Sequence, residues 1–250
     1  MITDWVFYAV AVPAVVLLGL SKGGFAGLGA FAVPMLSFVI GPVHAAAITL
    51  PILIVQDAVG VWAFRRSVDW RLLAWMMPGV VAGVVLAYYF AKTVSPRDVM
   101  VAVGLISAGF GGYRLWAREH RPSTWIARMP EWIGIWCGVA SGFTSQIAHA
   151  GQPPFQIWVL PRNLAPDLLV GTTAVYFAAT NWIKVPAYIA LGQFTRGNLL
   201  TSAALMPLAI ASTFAGVWLV RRISPERFYT AIYWLMVLVG IALLWEAAKT

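Results

Sequence analysis

The sequence predicts an all-α, polytopic membrane protein with about 8–10 membrane segments, built as two inverted-topology repeats with broken or re-entrant helices at the centre. The composition, the spacing of the apolar runs and two polar or glycine-rich interruptions support this prediction. The chain has 250 residues, of which 61% are hydrophobic and only 10% are charged. An average soluble domain is about 25% charged. So few charged residues cannot cover a water-soluble surface.

Apolar runs follow one another in two series, separated by a polar connector. The first series covers Trp5–Leu20, Phe25–Ile40, Val43–Phe64, Leu72–Ala91 and Val99–Trp116, and the second covers Trp132–Phe143, Ile147–Leu160, Leu168–Leu191, Leu199–Val220 and Phe228–Trp245. A spanning helix needs about 20 residues. The last three runs of each series are about that long, whereas the first two are shorter and fit either tilted helices or re-entrant half-helices. We therefore expect a first membrane repeat at 1–117, a basic cytoplasmic connector at 118–131 and a second membrane repeat at 132–250.

The two series align with each other. The Met-Pro pair at 77–78 aligns with the one at 206–207 at an offset of 129, and Asp57 aligns with Asn181 at an offset of 124. Offsets that drift by a few residues are what loop insertions produce. Weak internal symmetry of this kind is typical of transporters.

The distribution of basic residues favours an inverted repeat. If each repeat crosses the membrane an odd number of times, one side collects eleven basic residues and the other four. The eleven are Arg65, Arg66, Arg71, Arg114, Arg118, Arg121, Arg128, Arg162, Arg221, Arg222 and Arg227, and the four are Lys92, Arg97, Arg196 and Lys249. An even number of crossings would divide the same residues eight against seven. The positive-inside rule therefore favours an odd number of crossings in each repeat, with both termini outside the cytoplasm. We expect a multi-pass protein of the inner membrane.

The first interruption runs from Ser21 to Gly29 and contains a lysine among glycines. Glycine lets an unwound backbone approach a ligand, and the free N–H groups of a following helix favour an anion. The candidate substrate-binding residues here are Ser21, Lys22, Gly23, Gly24 and Gly27. The alternative is that the glycines serve close helix packing and that Lys22 pairs with Asp57.

The second interruption, from Ser141 to Pro154, is polar for a membrane interior. Its hydroxyl, amide and imidazole groups can donate hydrogen bonds to an oxyanion. The candidate substrate-binding residues here are Thr144, Ser145, Gln146, His149, Gly151 and Gln152. The alternative is that these groups satisfy the broken backbone.

Several polar residues lie inside the third apolar runs of the two series, and three of them are candidates for function. Asn181 and Lys184 share a helix face and are candidate substrate-binding residues, and Asp57 is the one carboxylate expected to be buried. Ionisable residues inside a membrane are usually functional. Asp57 and His149 are the proton-coupling candidates, although Asp57 could equally form a static ion pair with either lysine.

Other classes of function find no support in the sequence. The net charge of +8 comes from basic residues placed between apolar runs, which is not the pattern of a nucleic-acid-binding protein. Cys137 is the only cysteine and the three histidines are far apart, so no metal site is predicted. No nucleotide-binding loop or hydrolase motif occurs. We expect a protein that is not an enzyme and has no cofactor.

With both interruptions in view, the chain resembles the TauE/SafE family of membrane anion exporters. The resemblance is carried by Gly19–Gly29 with Val33-Pro34-Met35-Leu36, by Thr144–Pro154, and by Gly171-Thr172-Thr173, Asn181–Lys184 and Leu191-Gly192-Gln193. It covers nearly the whole chain. The first segment departs from the family's triple glycine, because Phe25 follows Gly23-Gly24. The second has Ala-His-Ala-Gly-Gln at 148–152, where many members have glycines.

The resemblance implies a secondary transporter of small anions such as sulfite or organosulfonates, most simply an exporter that is coupled to protons. The expected partners are a small anion and the lipid bilayer, with a homodimer as an option and no nucleic acid. A small-anion channel is the nearest alternative. A membrane enzyme or assembly factor would need a nucleophile or metal cluster, and a cation exporter would need more buried carboxylates than Asp57.

Overall fold

The computed structural model describes residues 2, 4–25, 28–90, 95–120, 129–148, 150–190 and 192–249. All regular structure in these residues is helical. The α-helices are α1 (Trp5–Gly23), α2 (Ala32–Ile40), α3 (Pro42–Phe64), α4 (Trp70–Phe90), α5 (Pro96–His120), α6 (Ile133–Ala148), α7 (Gln152–Val159), α8 (Pro166–Ala190), α9 (Arg196–Val220) and α10 (Pro225–Lys249). Short 3₁₀ turns occur at Leu28–Phe31 and Leu160–Arg162. The predicted all-α fold is confirmed.

Five of the described helices are long and apolar enough to cross a membrane. These spans are Trp5–Gly23, His44–Phe64, Trp70–Phe90, Arg196–Val220 and Glu226–Lys249. Exposed indoles lie at or near several helix ends, including Trp5, Trp62, Trp70 and Trp245. Indoles favour the membrane–water interface, so their placement agrees with spanning helices.

The helices on either side of the two interruptions differ in length. Helix α2 has 9 residues and α7 has 8, which at 1.5 Å per residue gives each a rise of roughly 12–14 Å. The hydrocarbon core is about 30 Å thick. Neither helix can cross it alone, whereas α1 before the first interruption is long enough to do so.

The chain forms two compact units, and each takes helices from both halves of the sequence. The first unit comprises Met1–Val68 and Val170–Ile223, and the second comprises Asp69–Leu169 and Ser224–Thr250. The predicted boundaries at 117/118 and 131/132 remain predictions, and residues 121–128 of the predicted connector lie outside the described residues.

In the first unit, α1 and α3 both pack against α9. Gly23 approaches Gly216 so closely that a Cβ at either position would collide with the other glycine's backbone, and Gly19 lies against Ser212 in the same way. Small residues at such positions let two helix backbones come together. Phe7, Ile48 and other fully buried apolar residues fill the core beside this contact.

In the second unit, α4 packs against α6 and α5 against α10. Gly83 faces the backbone of α6 at Val139, and Gly142 of α6 faces the backbone of α4 at Val80. Gly104 of α5 meets Gly240 of α10. Both helix pairs thus use glycine for close contact, as in the first unit.

Where helices at corresponding positions of the two series meet, they run antiparallel. Along α3 and α8, Asp57 lies opposite Asn181, Gly60 opposite Ala174 and Phe64 near Gly171. Residue numbers rise along one helix as they fall along the other. An inverted repeat would produce this arrangement. Inversion of the complete repeats remains a prediction.

Candidate functional site

Lys22 lies in the last turn of α1, and its position corrects one expectation from the sequence. We expected Lys22 in unwound backbone beside a helix N-terminus, but α1 continues through Gly23 and ends at Gly24. The N–H of Phe25 donates to the carbonyl of Leu20 at 3.1 Å, closing the helix end. The ammonium therefore sits at the negative end of the helix dipole, which favours a cation.

Asp57, on α3, holds Lys22 in place. Its Oδ1 lies 2.5 Å from Lys22 Nζ, and its Oδ2 accepts a hydrogen bond of 2.6 Å from Asn181 Nδ2. Asp57 is 1% exposed and Asn181 2%. Of the pairings that the sequence left open for Asp57, the structure shows the one with Lys22.

Lys184 lies one turn beyond Asn181 on α8 and is 1% exposed. It interacts electrostatically with both Lys22 and Asp57. Lys22, Asp57, Asn181 and Lys184 therefore form one group in the first unit, which we term the charged cluster. The sequence had selected all four of its members.

Phe177 is a contact that sequence reasoning missed. Its ring centroid lies 5.2 Å from Lys22 Nζ, within the range of a cation–π interaction. Phe177, Asn181 and Lys184 are spaced i, i+4 and i+7, so they share one face of α8. That spacing was the available signal.

The charged cluster brings net positive charge into the interior of the first unit. Two ammonium groups and one carboxylate give it a formal charge of +1. The other acidic residue of this unit, Asp4, is exposed and caps α1 by accepting from the N–H of Val6. Buried charge is costly unless it is balanced. A small anion beside the ammonium groups would balance it.

The remaining candidates of the first interruption have mixed placements. Ser21 is 6% exposed and lies on α1. Gly23 belongs to the close contact with α9, as the packing alternative expected. Gly24 has φ of +141°, a conformation that favours glycine. Gly27 lies outside the described residues.

The second interruption is shorter than its polar sequence suggested. Helix α6 continues to Ala148, so Ser141, Thr144, Ser145 and Gln146 are helical rather than unwound. The expectation of unwound backbone was wrong at these positions. The polar side chains lie on a helix, and two of their hydroxyls contact backbone carbonyls just beyond its C-terminal end.

Two hydroxyls of α6 satisfy carbonyls in the segment between α6 and α7. Ser141 Oγ donates to the carbonyl of Gly151 at 2.7 Å, and Thr144 Oγ1 lies 3.0 Å from the carbonyl of Ala150. Gly151 approaches α6 closely, since a Cβ there would lie 2.8 Å from the Ser141 carbonyl. The carbonyls of Ala150 and Gly151 therefore have hydroxyl groups within hydrogen-bond distance inside the protein, as a membrane interior requires.

Other polar groups of the second interruption retain capacity for a ligand. The Oε1 atoms of Gln146 and Gln152 are buried and have no hydrogen-bond partner among the described residues. An amide offers both donors and an acceptor. Ser145 is 4% exposed and lies on the same helix as Gln146. His149 lies outside the described residues.

The structure therefore assembles the candidates as two sets. Lys22, Asp57, Asn181 and Lys184 meet in the first unit, whereas Thr144, Ser145, Gln146, Gly151 and Gln152 belong to the second. Within the described residues, no group of three His, Cys, Asp or Glu side chains is placed to hold a metal ion.

The protein-family model described as Sulfite exporter TauE/SafE matches residues 11–243, nearly the whole chain. The matched range contains the charged cluster and both interruptions. No curated protein and no solved structure matches the chain.

Proposed function

The chain belongs to the sulfite exporter TauE/SafE family, and on this premise we propose that it is a secondary transporter that exports small anions such as sulfite or organosulfonates across the inner membrane. Membership of this family and the apolar helices make the chain a multi-pass membrane transport protein. The identity of the anion, the direction of transport and its coupling are parts of the proposal.

The single observation that carries the proposal is the buried positive charge of the charged cluster. Lys22 and Lys184 lie in helices that are otherwise strongly apolar, and Asp57 is the one buried acidic residue in the first unit, since Asp4 is exposed. Ionisable groups at such depth are expensive and mark substrate pathways. In this proposal the anion is held by the ammonium groups, with Asn181 fixing the carboxylate that positions Lys22.

The second interruption is proposed as a separate set of hydrogen-bond donors within the second unit. The amides of Gln146 and Gln152 are proposed for their Nε2 groups, which can donate to an oxyanion. Their Oε1 atoms, buried without a hydrogen-bond partner among the described residues, are acceptors and would not hold an anion. Ser145 and His149 complete the set. Thr144 and Gly151 shape the helix end, because the hydroxyl of Thr144 faces backbone carbonyls and Gly151 lies against α6.

Proton coupling is assigned to Asp57 or His149. Asp57 faces two lysines, so a change in its charge would alter how strongly they hold an anion. His149 is the other candidate because histidine is the residue type whose charge ordinarily changes near physiological pH. Export would then couple anion movement to a proton gradient.

The test is efflux of radiolabelled sulfite from proteoliposomes that contain the purified protein. We expect saturable efflux that responds to an imposed proton gradient and is abolished in Lys22→Met. The matched control is Lys249→Met, because Lys249 is exposed and lies over Trp245 at the end of α10. Unitary currents without saturation would instead favour a channel. Wild-type efflux from the Lys22→Met protein would contradict the proposed site.

A further inference from the structure

The carboxylate of Asp57 contributes charge to the charged cluster rather than an open ligand position. Its Oδ1 lies 2.5 Å from Lys22 Nζ, and its Oδ2 accepts the hydrogen bond from Asn181. Both oxygens are thus engaged within the protein. An anion entering the cluster must therefore be held by the ammonium groups, while Asp57 acts on it through its negative charge.

No other acidic residue in the first unit can replace that charge. Asp4 is exposed at the start of α1, and the sequence of this unit contains no further Asp or Glu. Lys22 faces Asp57 from α1 and Lys184 acts on it from α8. Helix α9 carries no titratable residue between Arg196 and Arg221. Among the described residues of the first unit, the buried formal charge therefore comes from two lysines and one aspartate.

This count predicts which anion charge the site accepts. With both lysines protonated and Asp57 ionised, the cluster carries +1, so a monovalent anion makes the complex neutral and a divalent anion leaves it at −1. With Asp57 neutral the cluster carries +2, and a divalent anion then gives neutrality. Net charge in a buried site is costly. We propose that Asp57 determines charge selectivity: the site prefers monovalent oxyanions while Asp57 is ionised and divalent oxyanions once that carboxyl is neutral.

This inference rests on the proposed function and concerns the cargo of the same site. It also has an internal control, since Asn181 aligns with Asp57 in the repeat and is bonded to it directly. Asp and Asn have nearly the same shape. The double substitution Asp57→Asn/Asn181→Asp moves the carboxylate from α3 to α8 across this hydrogen bond. The formal charge of the charged cluster stays at +1.

The experiment compares methanesulfonate, a permanent monoanion, with sulfate, a dianion at neutral pH. Equilibrium binding of each radiolabelled anion is measured on purified full-length wild type, Asp57→Asn, and the double variant Asp57→Asn/Asn181→Asp. We expect wild type to prefer methanesulfonate over sulfate by about tenfold or more, because removing a dianion from water costs more than a cluster of charge +1 returns. The single variant should prefer sulfate by a similar factor, and the exchanged pair should recover the wild-type order.

A single variant with the wild-type preference, or an exchanged pair that still prefers sulfate, would overturn the inference while leaving anion transport intact. If Asp57→Asn does not fold, Asn181→Asp is measured alone. Its formal charge of zero should weaken methanesulfonate binding about tenfold and sulfate binding further, and unchanged affinities would contradict the charge count. Failure of every protein, wild type included, to bind either anion would instead count against the proposed function.

Discussion

At the scale of single residues, the Lys22–Asp57 pair links stability to the proposed anion site. A buried pair adds little net stability over an apolar pair, but removing one partner leaves the other charge buried. Asp57 is 1% exposed, so its charge has no access to water if Lys22 is removed. Stability and anion binding should therefore depend on these two residues in different ways.

We expect Lys22→Met to destabilise the protein by about 3 kcal/mol, because Asp57 then loses its ion-pair partner. Lys22→Met/Asp57→Asn should recover much of that loss without restoring anion transport. The measurement is reversible unfolding in detergent for the two single variants and the double variant. A double variant no more stable than Lys22→Met would show that the pair is not coupled.

Ser141 gives a second test at this scale. Ser141→Ala leaves the Gly151 carbonyl without its hydroxyl donor in a buried position. The expected loss of stability is about 1–3 kcal/mol. The control is Thr230→Ala, whose hydroxyl bonds to Glu226 within its own helix, and which should change stability by no more than about 0.5 kcal/mol. Equal losses of stability in the two variants would show that the hydrogen bond from Ser141 to the Gly151 carbonyl is not important for stability.

Sequence reasoning singled out the charged residues that the structure brings together in the charged cluster, but not the role of the hydroxyls in α6. Lysine and aspartate are rare in apolar runs, so Lys22, Asp57 and Lys184 stand out from composition alone. The role of Ser141 depends on where α6 ends, which the polar stretch around it does not reveal. Phe177 was missed because an aromatic residue is ordinary in a membrane helix.

At the scale of helices, glycine contacts determine how closely the elements pack. The sequence predicted both interruptions, but it placed their edges too early, because Gly23 and Ser141 continue their helices. Gly23 can do so since it packs against Gly216, and the turn is made one residue later by the positive φ of Gly24. Four glycines within seven residues do not show which of them ends the helix.

Gly83→Ala tests the contact between α4 and α6. The added Cβ would meet the backbone of Val139 and Phe143, so we expect destabilisation of about 1–3 kcal/mol. Gly112→Ala on α5 is the control, because nothing lies within 4 Å of a Cβ there. Alanine favours the helix by roughly 0.5–1 kcal/mol over glycine, so the control should be neutral or stabilising. Thermal unfolding of both variants decides, and a stabilising Gly83→Ala would contradict the close contact.

At the scale of the whole molecule, the family and the helical membrane fold followed from the sequence, whereas the two compact units did not. Each unit combines helices from both halves of the chain. Small residues four apart, such as Gly19/Gly23 and Gly79/Gly83, show that a helix has a close-packing face. They do not show which helix packs there, so a sequence with several such faces leaves the pairing open.

The membrane orientation is a prediction at this scale. The excess of basic residues on one set of loops places both termini outside the cytoplasm. Alkaline phosphatase fused after Thr250 should therefore be active, and green fluorescent protein fused at the same point should remain dark. The reverse result would place the C-terminus inside the cytoplasm. With the N-terminus outside, the total number of crossings would then be odd, whereas two inverted repeats with an odd number of crossings each require an even total.

The central claim is that an anion binds beside the lysines of the charged cluster. Selenite resembles sulfite and contains an anomalous scatterer, so an experimental structure of the protein with selenite would locate the anion directly. The account predicts an anomalous peak within hydrogen-bond distance of Lys22 Nζ or Lys184 Nζ in wild type, and its loss in Lys22→Met. A peak remote from both lysines, with the Lys22–Asp57 pair undisturbed, would contradict it.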